Sequence, residues 1–254
     1  MSENIKKITK AFKVDLDSRE NREILCKFYF DRGGKSKLEY AYYDNQAVSN
    51  ILEVASKIET LIQKSLKNNG YTLLNRNKIK EAFFSPFKPQ LKSTQVFLSH
   101  SHADKNKALK VKNYLESETN HRVFIDSLFW DYKDNILKEM SKYNDTSKIK
   151  DAFTLILRES LQDMIEKCPY FVFLQSNNSV SCNQDLSCIT YSAWIYEELK
   201  IAHSLIADSA LQESRIKAMR VSHNITNLLR RFKAISLDGL CKKISFNFIT
   251  KDLE

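Results

Sequence analysis

The stretch TQVFLSHSHADKNKALKVKNYL, residues 94–115, decides the fold class. It begins with a short apolar run at 96–98 and continues through a polar turn. A helical pattern follows, with apolar residues at Ala108, Val111 and Leu115. An apolar run, a turn and an amphipathic helix in this order are typical of one strand–helix unit of an α/β fold.

Two further apolar runs follow along the chain, RVFIDS at 122–127 and YFVFLQS at 170–176. The helical pattern LILRESLQDMIEKC at 155–168 precedes the second of them. Continuous apolar runs that alternate with helices predict a parallel sheet covered by helices on both faces. We therefore predict an α/β fold with strands at 96–99, 123–126 and 171–174.

Each predicted strand ends in polar residues. Ser99 and Ser101 follow the first strand, Asp126 and Ser127 follow the second, and Gln-Ser-Asn at 175–177 follows the third. Ligands of open α/β sheets bind beyond the carboxyl ends of the strands. We expect a binding site at this edge, although each of these side chains could instead cap a helix or a turn.

The segment TYSAWIYEELKIAHSLI, residues 190–206, predicts a helix that carries a carboxylate close to its apolar face. Glu197 should point to solvent, whereas Glu198 lies on the flank of the apolar stripe, one turn after Trp194. A half-buried carboxylate is costly and therefore a candidate for a functional site. The alternative is a structural Glu198 paired with a lysine such as Lys200 or Lys167. The apolar stripe itself consists of Ile195, Leu199, Ala202 and Ile206.

Residues 1–92 differ in character from the rest of the chain. CKFYFDRGGKSKLEYAYYD, residues 26–44, predicts a β-hairpin that turns at Arg32-Gly33-Gly34. An amphipathic helix is predicted at 47–66, and a proline-containing connector at 83–93. These patterns predict an N-terminal α+β extension at 1–92 (a hairpin plus a helix), which should pack on an α/β domain at 93–254.

The composition bounds the class of protein. With 43% hydrophobic residues the chain of 254 residues can form a globular core, and it has no apolar run long enough for a membrane span. The first residues lack the apolar core of a signal peptide, so we expect a cytoplasmic protein. Four glycines form neither a GxGxxG fingerprint nor a P-loop. The net charge of +9 comes from scattered lysines and favours a solvated basic surface.

The five cysteines are expected to be free thiols, because their number is odd, no CxxC occurs and the expected compartment is reducing. Cys182 and Cys188 share a polar loop, but no histidine lies near them at zinc spacing, so we expect no metal site. His100 and His102 are more typical of turn residues than of bases.

Four blocks in order, VFLSHSHADKNKALKVKNYL, RVFIDS, YFVFLQS and SAWIYEEL, resemble a bacterial Toll/interleukin-1 receptor (TIR) domain, over about residues 95–206. The resemblance implies a TIR-like, flavodoxin-like sheet flanked by helices. The segment FIDSLFW resembles bacterial antiphage TIR proteins of the Thoeris type more than it resembles animal receptor adaptors. The matched positions are Ser99, Ser101, His102, Asp104, Asp126, Ser127, Ser192, Trp194, Glu198 and Leu199.

The chain also departs from the TIR pattern. The loop after the second strand reads SLFWDYKDN, without the usual proline and glycine, and an insertion is expected at about 128–154. No clear strand follows the helix of Glu198, and LLRRFKAISL at 228–237 is a weak candidate for it.

The resemblance implies cleavage of the nicotinamide N-glycosidic bond of NAD, with NAD as substrate and no cofactor or metal. Glu198 would be the catalytic residue. The implied substrate-binding residues include Trp194, which could contact the nicotinamide or ribose or simply anchor the core. They also include Trp130, expected on a loop that could cover the pocket or stack on a base. The remaining implied substrate-binding residues are Ser99, Ser101, Asp126, Ser127 and Ser192. The product could be ADP-ribose, a cyclic isomer or a base-exchange conjugate, and a Thoeris-type product would signal to a separate effector protein.

Two other functions are open at this point. A TIR domain can be a non-catalytic interaction module that signals by self-association, and a basic surface with an exposed Trp130 loop would suit that role. Nucleic-acid binding through the tyrosines of YAYYD, residues 40–44, is the other. Acidic residues interrupt the basic ones there and no known motif appears, so the sequence argues against it, and no membrane partner is expected.

Overall fold

The computed structural model describes residues 10–31, 51–64, 66–68, 71–73, 75–84, 94–142, 147–182, 187–206 and 222–249. The strands of this part of the chain are β1 (Lys10–Asp15), β2 (Leu66–Asn68), β3 (Tyr71–Leu73), β4 (Thr94–Ser99), β5 (Arg122–Ile125), β6 (Tyr170–Gln175), β7 (Ser181–Cys182), β8 (Cys188–Thr190), β9 (His223–Asn224) and β10 (Lys233–Ala234). Its α-helices are α1 (Arg19–Asp31), α2 (Ile51–Gln63), α3 (Arg76–Phe84), α4 (Lys105–Thr119), α5 (Ser127–Met140), α6 (Ser147–Lys167), α7 (Ala193–Leu205), α8 (Thr226–Leu229) and α9 (Leu237–Ile249).

The central sheet has five strands in the order β10-β1-β6-β4-β5, and every neighbouring pair is parallel. With helices flanking it, this is the predicted α/β, flavodoxin-like class. The three predicted strands are confirmed as β4, β5 and β6, each within two residues of its predicted bounds. The weak candidate at 228–237 contains β10, a two-residue strand at the edge of the sheet.

The interior strands are apolar because helices and neighbouring strands remove them from water on both faces. Val96, Phe97 and Leu98 of β4 are fully buried. The ring of Phe171 in β6 stacks between Phe97 and Phe232, with ring centroids 5.5 and 5.6 Å away. Because side chains two apart in a strand share a face, Ser99 lies on the same face of the sheet as Phe97.

The predicted domain boundary at 92/93 is wrong for the start of the chain. β1 pairs with β6 over its whole length, from Lys10↔Tyr170 to Asp15↔Gln175, and with β10 on its other side. Phe12 and Val14 are buried. Residues 10–15 therefore belong to the α/β domain. The strand escaped prediction because KAFKVD is short and contains two lysines, and only the pairing with β6 reveals its burial.

The predicted hairpin at 26–44 is also wrong in its first arm, since residues 26–31 are helical. Ser18 accepts a hydrogen bond from the backbone N–H of Asn21 at 3.3 Å and so caps α1. Phe28 of α1 packs edge-to-face on Tyr114 of α4, with ring centroids 5.3 Å apart. This contact outweighs the β preference of the aromatic run FYF. The rest of the predicted hairpin, 32–44, lies outside the described residues.

The chain forms two compact units. One contains the described residues of Met1–Leu38, Thr94–Ile125 and Gln162–Glu254, with the whole central sheet. The other contains those of Glu39–Ser93 and Asp126–Leu161.

Within the second unit, α2 packs against α3 and α5, and β2 and β3 form a short antiparallel hairpin. α2 is the predicted amphipathic helix, with Val54 and Ile58 buried, although it begins at 51, and Leu66 belongs to β2. Residues 47–50 lie outside the described residues.

The segment predicted as a loop and insertion after the second strand is mostly helical. It contains α5 and the first part of α6, so Trp130 lies in a helix and not in a loop. Among the residues that the structure describes, no helix has the length and apolar character needed to cross a membrane.

Candidate functional site

Helix α7 carries Glu198 and is fixed at both ends. At the start, the Ser192 hydroxyl accepts a hydrogen bond from the Ile195 backbone N–H at 3.2 Å, which satisfies one of the exposed donors of the first turn. At the end, Arg231 Nη1 donates to the backbone oxygens of His203 and Ile206, at 3.2 and 3.1 Å. The cation also suits the negative end of the helix dipole.

The predicted stripe of α7 faces the core, except that Ile206 follows the last residue of the helix and is only partly buried. Ile195, Leu199 and Ala202 are buried, and Glu198 lies among them with 1% of its surface exposed. The sequence predicted a half-buried Glu198, and the carboxylate is buried more deeply than that. Glu197, predicted to face solvent, is only partly exposed.

The structure brings Glu198 together with Ser99. The Ser99 hydroxyl donates a hydrogen bond to Glu198 Oε2 with an oxygen–oxygen distance of 2.5 Å, and Ser99 is itself completely buried. Ser99 is the last residue of β4 and pairs with Phe173 of β6. A hydroxyl–carboxylate bond of this length is a strong, charge-assisted type when the carboxyl is ionised.

This contact lies where α/β sheets usually bind ligands. The chain goes from β4 outward to β5 and then returns to β6 on the other side of β4, so the strand order reverses between β4 and β6. A crevice opens at the carboxyl ends of two such strands. Ser99 ends β4, and Ser176 directly follows β6.

A second polar cluster lies near the carboxyl ends of the sheet strands, and its contacts were not predicted from the sequence. The buried carboxylate of Asp104 accepts hydrogen bonds from Ser176 Oγ at 2.5 Å and from Asn178 Nδ2 at 2.9 Å. Lys107 Nζ lies 3.3 Å from Asp104 and 3.2 Å from Asp17 in the loop after β1. The cluster joins the loops that follow β1, β4 and β6.

The charges of this cluster influence one another. A hydrogen bond from the Asn177 backbone N–H, together with Lys107, lowers the pKa of Asp17. Partial burial opposes the charged form of Lys107, but the hydrogen bonds and charges of Asp17 and Asp104 raise its pKa overall. Asp104 was part of the quoted motif, but only the fold shows that it holds the loop after β6.

The other predicted substrate-binding residues are distributed as follows. Ser192 caps α7, as described above. Ser101 is partly buried and precedes the short 3₁₀ helix His102–Asp104, and its backbone oxygen accepts from the Asp104 N–H at 2.8 Å. Trp194 is partly buried on α7. His100 is buried and His102 exposed.

Asp126 and Ser127 directly follow β5 and are both buried. They begin the second segment of the second compact unit, whereas Ser99 and Glu198 lie in the first unit. Trp130 belongs to α5, and its side chain is outside the described part of the structure.

The expectation of five free thiols is wrong. Cys182 and Cys188 form a disulfide with Cα atoms 4.1 Å apart, while Cys26, Cys168 and Cys241 are free. The two half-cystines face each other across the antiparallel pair β7 and β8, in the register Cys182↔Cys188. Their short separation in one polar loop was the only available sequence signal.

Within the described ranges, no three or more His, Cys, Asp and Glu side chains form a group that could hold a metal ion. Comparison of the chain with protein-family models, with curated proteins and with solved structures found no match.

Proposed function

We propose that the chain is a TIR-like enzyme that cleaves the nicotinamide N-glycosidic bond of NAD, in bacterial antiphage defence. The observation that carries the proposal is the buried Glu198 carboxylate, bonded to Ser99 at the carboxyl end of β4. A carboxylate in this position is costly to bury, which favours a functional role over a purely structural one.

One carboxylate is sufficient for this reaction. Ordinary glycosidases use two, one of which protonates the leaving oxygen. In NAD the bond between ribose C1′ and the pyridinium nitrogen breaks, its electron pair goes to the nitrogen, and nicotinamide leaves as a neutral molecule. The positive charge then develops on the ribose, where Glu198 would stabilise it. Addition of water gives ADP-ribose and releases one proton, while attack by another nucleophile gives a cyclic or conjugated product.

A carboxylate that is 1% exposed can contact a ribose only after the residues that cover it have moved away. We therefore propose a resting state that is activated by self-association through TIR surfaces or by another trigger. The proposal includes a cytoplasmic location and a product that signals to a separate effector. Cellular reductants in that compartment would act against the Cys182–Cys188 disulfide.

The test is incubation of the purified chain with NAD at high protein concentration, or after co-expression during phage infection, with chromatographic separation of the products. Glu198→Gln keeps the shape of the side chain but removes its charge. It should lower turnover by about 10²–10³-fold, the typical effect of losing one preorganised electrostatic group. NAD binding should weaken much less, because the charge acts mainly on the transition state.

Glu197→Gln is the matched control on the same helix and should change turnover little. Full activity of Glu198→Gln, or equal loss in both variants, would show that Glu198 is not the catalytic carboxylate. A chain that cleaves no NAD under any activating condition but still self-associates would instead be a non-catalytic interaction module.

A further inference from the structure

The Ser99 hydroxyl donates a hydrogen bond to Glu198, which links β4 of the central sheet to α7. We propose that Ser99 is a positioning residue, which holds the Glu198 carboxylate in one orientation, and not a residue that binds substrate. The catalytic part of this proposal rests on the proposed function, whereas the structural part does not.

The first reason is the proton count of a serine hydroxyl. The hydroxyl has a single O–H to donate, and Ser99 directs it to Glu198 Oε2 at 2.5 Å. While that bond exists, Ser99 has no proton to offer to a ribose hydroxyl. In the resting state proposed above, the hydroxyl is also completely removed from solvent.

The second reason is the rigidity of the two elements that carry the pair. Ser99 ends β4, which has hydrogen-bonded neighbours on both sides, β5 and β6. Glu198 lies in the middle of α7, whose two ends are held by Ser192 and Arg231. Neither backbone can shift easily, so the hydroxyl restricts the carboxylate to one orientation.

The third reason concerns entropy. A glutamate side chain has several rotatable bonds, and fixing them costs up to about 2 kcal/mol. The hydrogen bond to Ser99 already fixes these torsions in the free protein, so this entropy is not lost again when substrate binds. Preorganisation of this kind favours the chemical step, because the charged group need not reorient during it.

The test uses the full chain and four variants. Ser99→Ala removes the donor, Ser99→Cys keeps nearly the same volume with only a weak donor, and Ser99→Thr restores a hydroxyl. The measurement is the ¹³C NMR spectrum of protein labelled with ¹³C-glutamate. The signal that disappears in Glu198→Gln belongs to the side-chain carboxyl carbon of Glu198. We expect this resonance to move in the Ala and Cys variants and to stay near its wild-type position in the Thr variant. Unchanged positions in both the Ala and Cys variants would overturn the proposal.

Kinetics with NAD separate positioning from substrate binding. Loss of orientation should lower kcat by about 10–100-fold, since a small misplacement of a catalytic group has effects of this size. KM should change by less than about threefold, and Ser99→Thr should recover most of kcat. A raised KM with unchanged kcat would instead make Ser99 a substrate-binding residue.

The two failures are distinguishable. If Glu198→Gln keeps full NAD-cleaving activity, the proposed function fails, and the carbon resonance still decides whether Ser99 orients Glu198. If Glu198→Gln is inactive but the Ser99 variants match the wild type in resonance and in kcat, only the positioning role is rejected.

Discussion

Helix α7 carries two buried ionisable residues, and the protein accommodates them in different ways. Glu198 accepts a hydrogen bond from the Ser99 hydroxyl, so its carboxylate has a partner in the core. Burial is the main reason why the pKa of His203 lies below its usual value of 6.5, and the nearby guanidinium of Arg231 lowers this pKa further. The native state therefore favours a neutral imidazole at this position.

The shift in His203 makes stability depend on pH. Below about pH 6.5 the unfolded chain binds a proton at this histidine, whereas the native state binds it only at lower pH, so the free energy of unfolding falls as pH decreases through this range. Each unit of pKa shift corresponds to about 1.4 kcal/mol. We expect His203→Gln to flatten this fall between pH 7 and pH 5, measured by urea unfolding. Parallel curves for His203→Gln and wild type would contradict the assignment.

The start of α7 is the element on which the site geometry most directly depends. Because the Ser192 side chain caps the helix, we expect Ser192→Ala to lower the free energy of unfolding by about 1 kcal/mol. Ser192→Asp should retain the stability, since aspartate is an equally good cap. Urea unfolding of the purified variants measures both effects.

The control for this prediction lies on the same helix. Ser204 is exposed and its hydroxyl donates to the Ile201 backbone oxygen, so Ser204→Ala should change stability by no more than about 0.5 kcal/mol. If Ser192→Ala kept wild-type stability but raised the KM for NAD, Ser192 would bind substrate, as the TIR resemblance implies.

At the level of elements, the sequence was informative wherever burial produces a local pattern. The apolar runs of β4, β5 and β6 and the stripe of α7 are periodic within a few residues, so they were predicted correctly. The burial of β1 depends on β6, which only the fold brings near. Cys182 and Cys188 are close in sequence, but only the pairing of β7 with β8 places them opposite each other. The position of Glu198 near the core was predictable from helical spacing, but its bond to Ser99, 99 residues away in sequence, was not.

At residues 28–30 a local sequence pattern was present but predicted the wrong element. Phe28, Tyr29 and Phe30 favour strands by intrinsic preference, yet they belong to α1. Phe28 and Tyr29 both contact α4, where the Asn113 amide donates to the Tyr29 hydroxyl at 3.2 Å and Tyr114 packs on Phe28. Tertiary contacts of this kind override propensity.

For the unit that contains the central sheet, the main structural consequence is that both ends of the chain contribute to it. Counted from Thr94, β4, β5 and β6 keep the order 2-1-3 that begins the flavodoxin-like arrangement. The next position is occupied by β1 from the start of the chain, and the edge by β10 from near its end. The sheet therefore cannot be assembled from residues after 93 alone.

A truncated chain of residues 93–254, the predicted TIR-like domain, tests this dependence. It lacks β1, so β6 loses a parallel neighbour along all six of its residues and β10 loses the strand with which it pairs. We expect it to show no cooperative urea unfolding by far-UV circular dichroism. In the full chain, Phe12→Ala should cost about 3–5 kcal/mol, a large share of the roughly 5–15 kcal/mol that stabilises a typical domain. Lys13→Ala, at a partly exposed position of the same strand, should cost far less, because its side chain adds little to the core. A truncated chain that unfolded cooperatively at the wild-type midpoint would show that β1 is dispensable and that the boundary at 92/93 separates independent folding units after all.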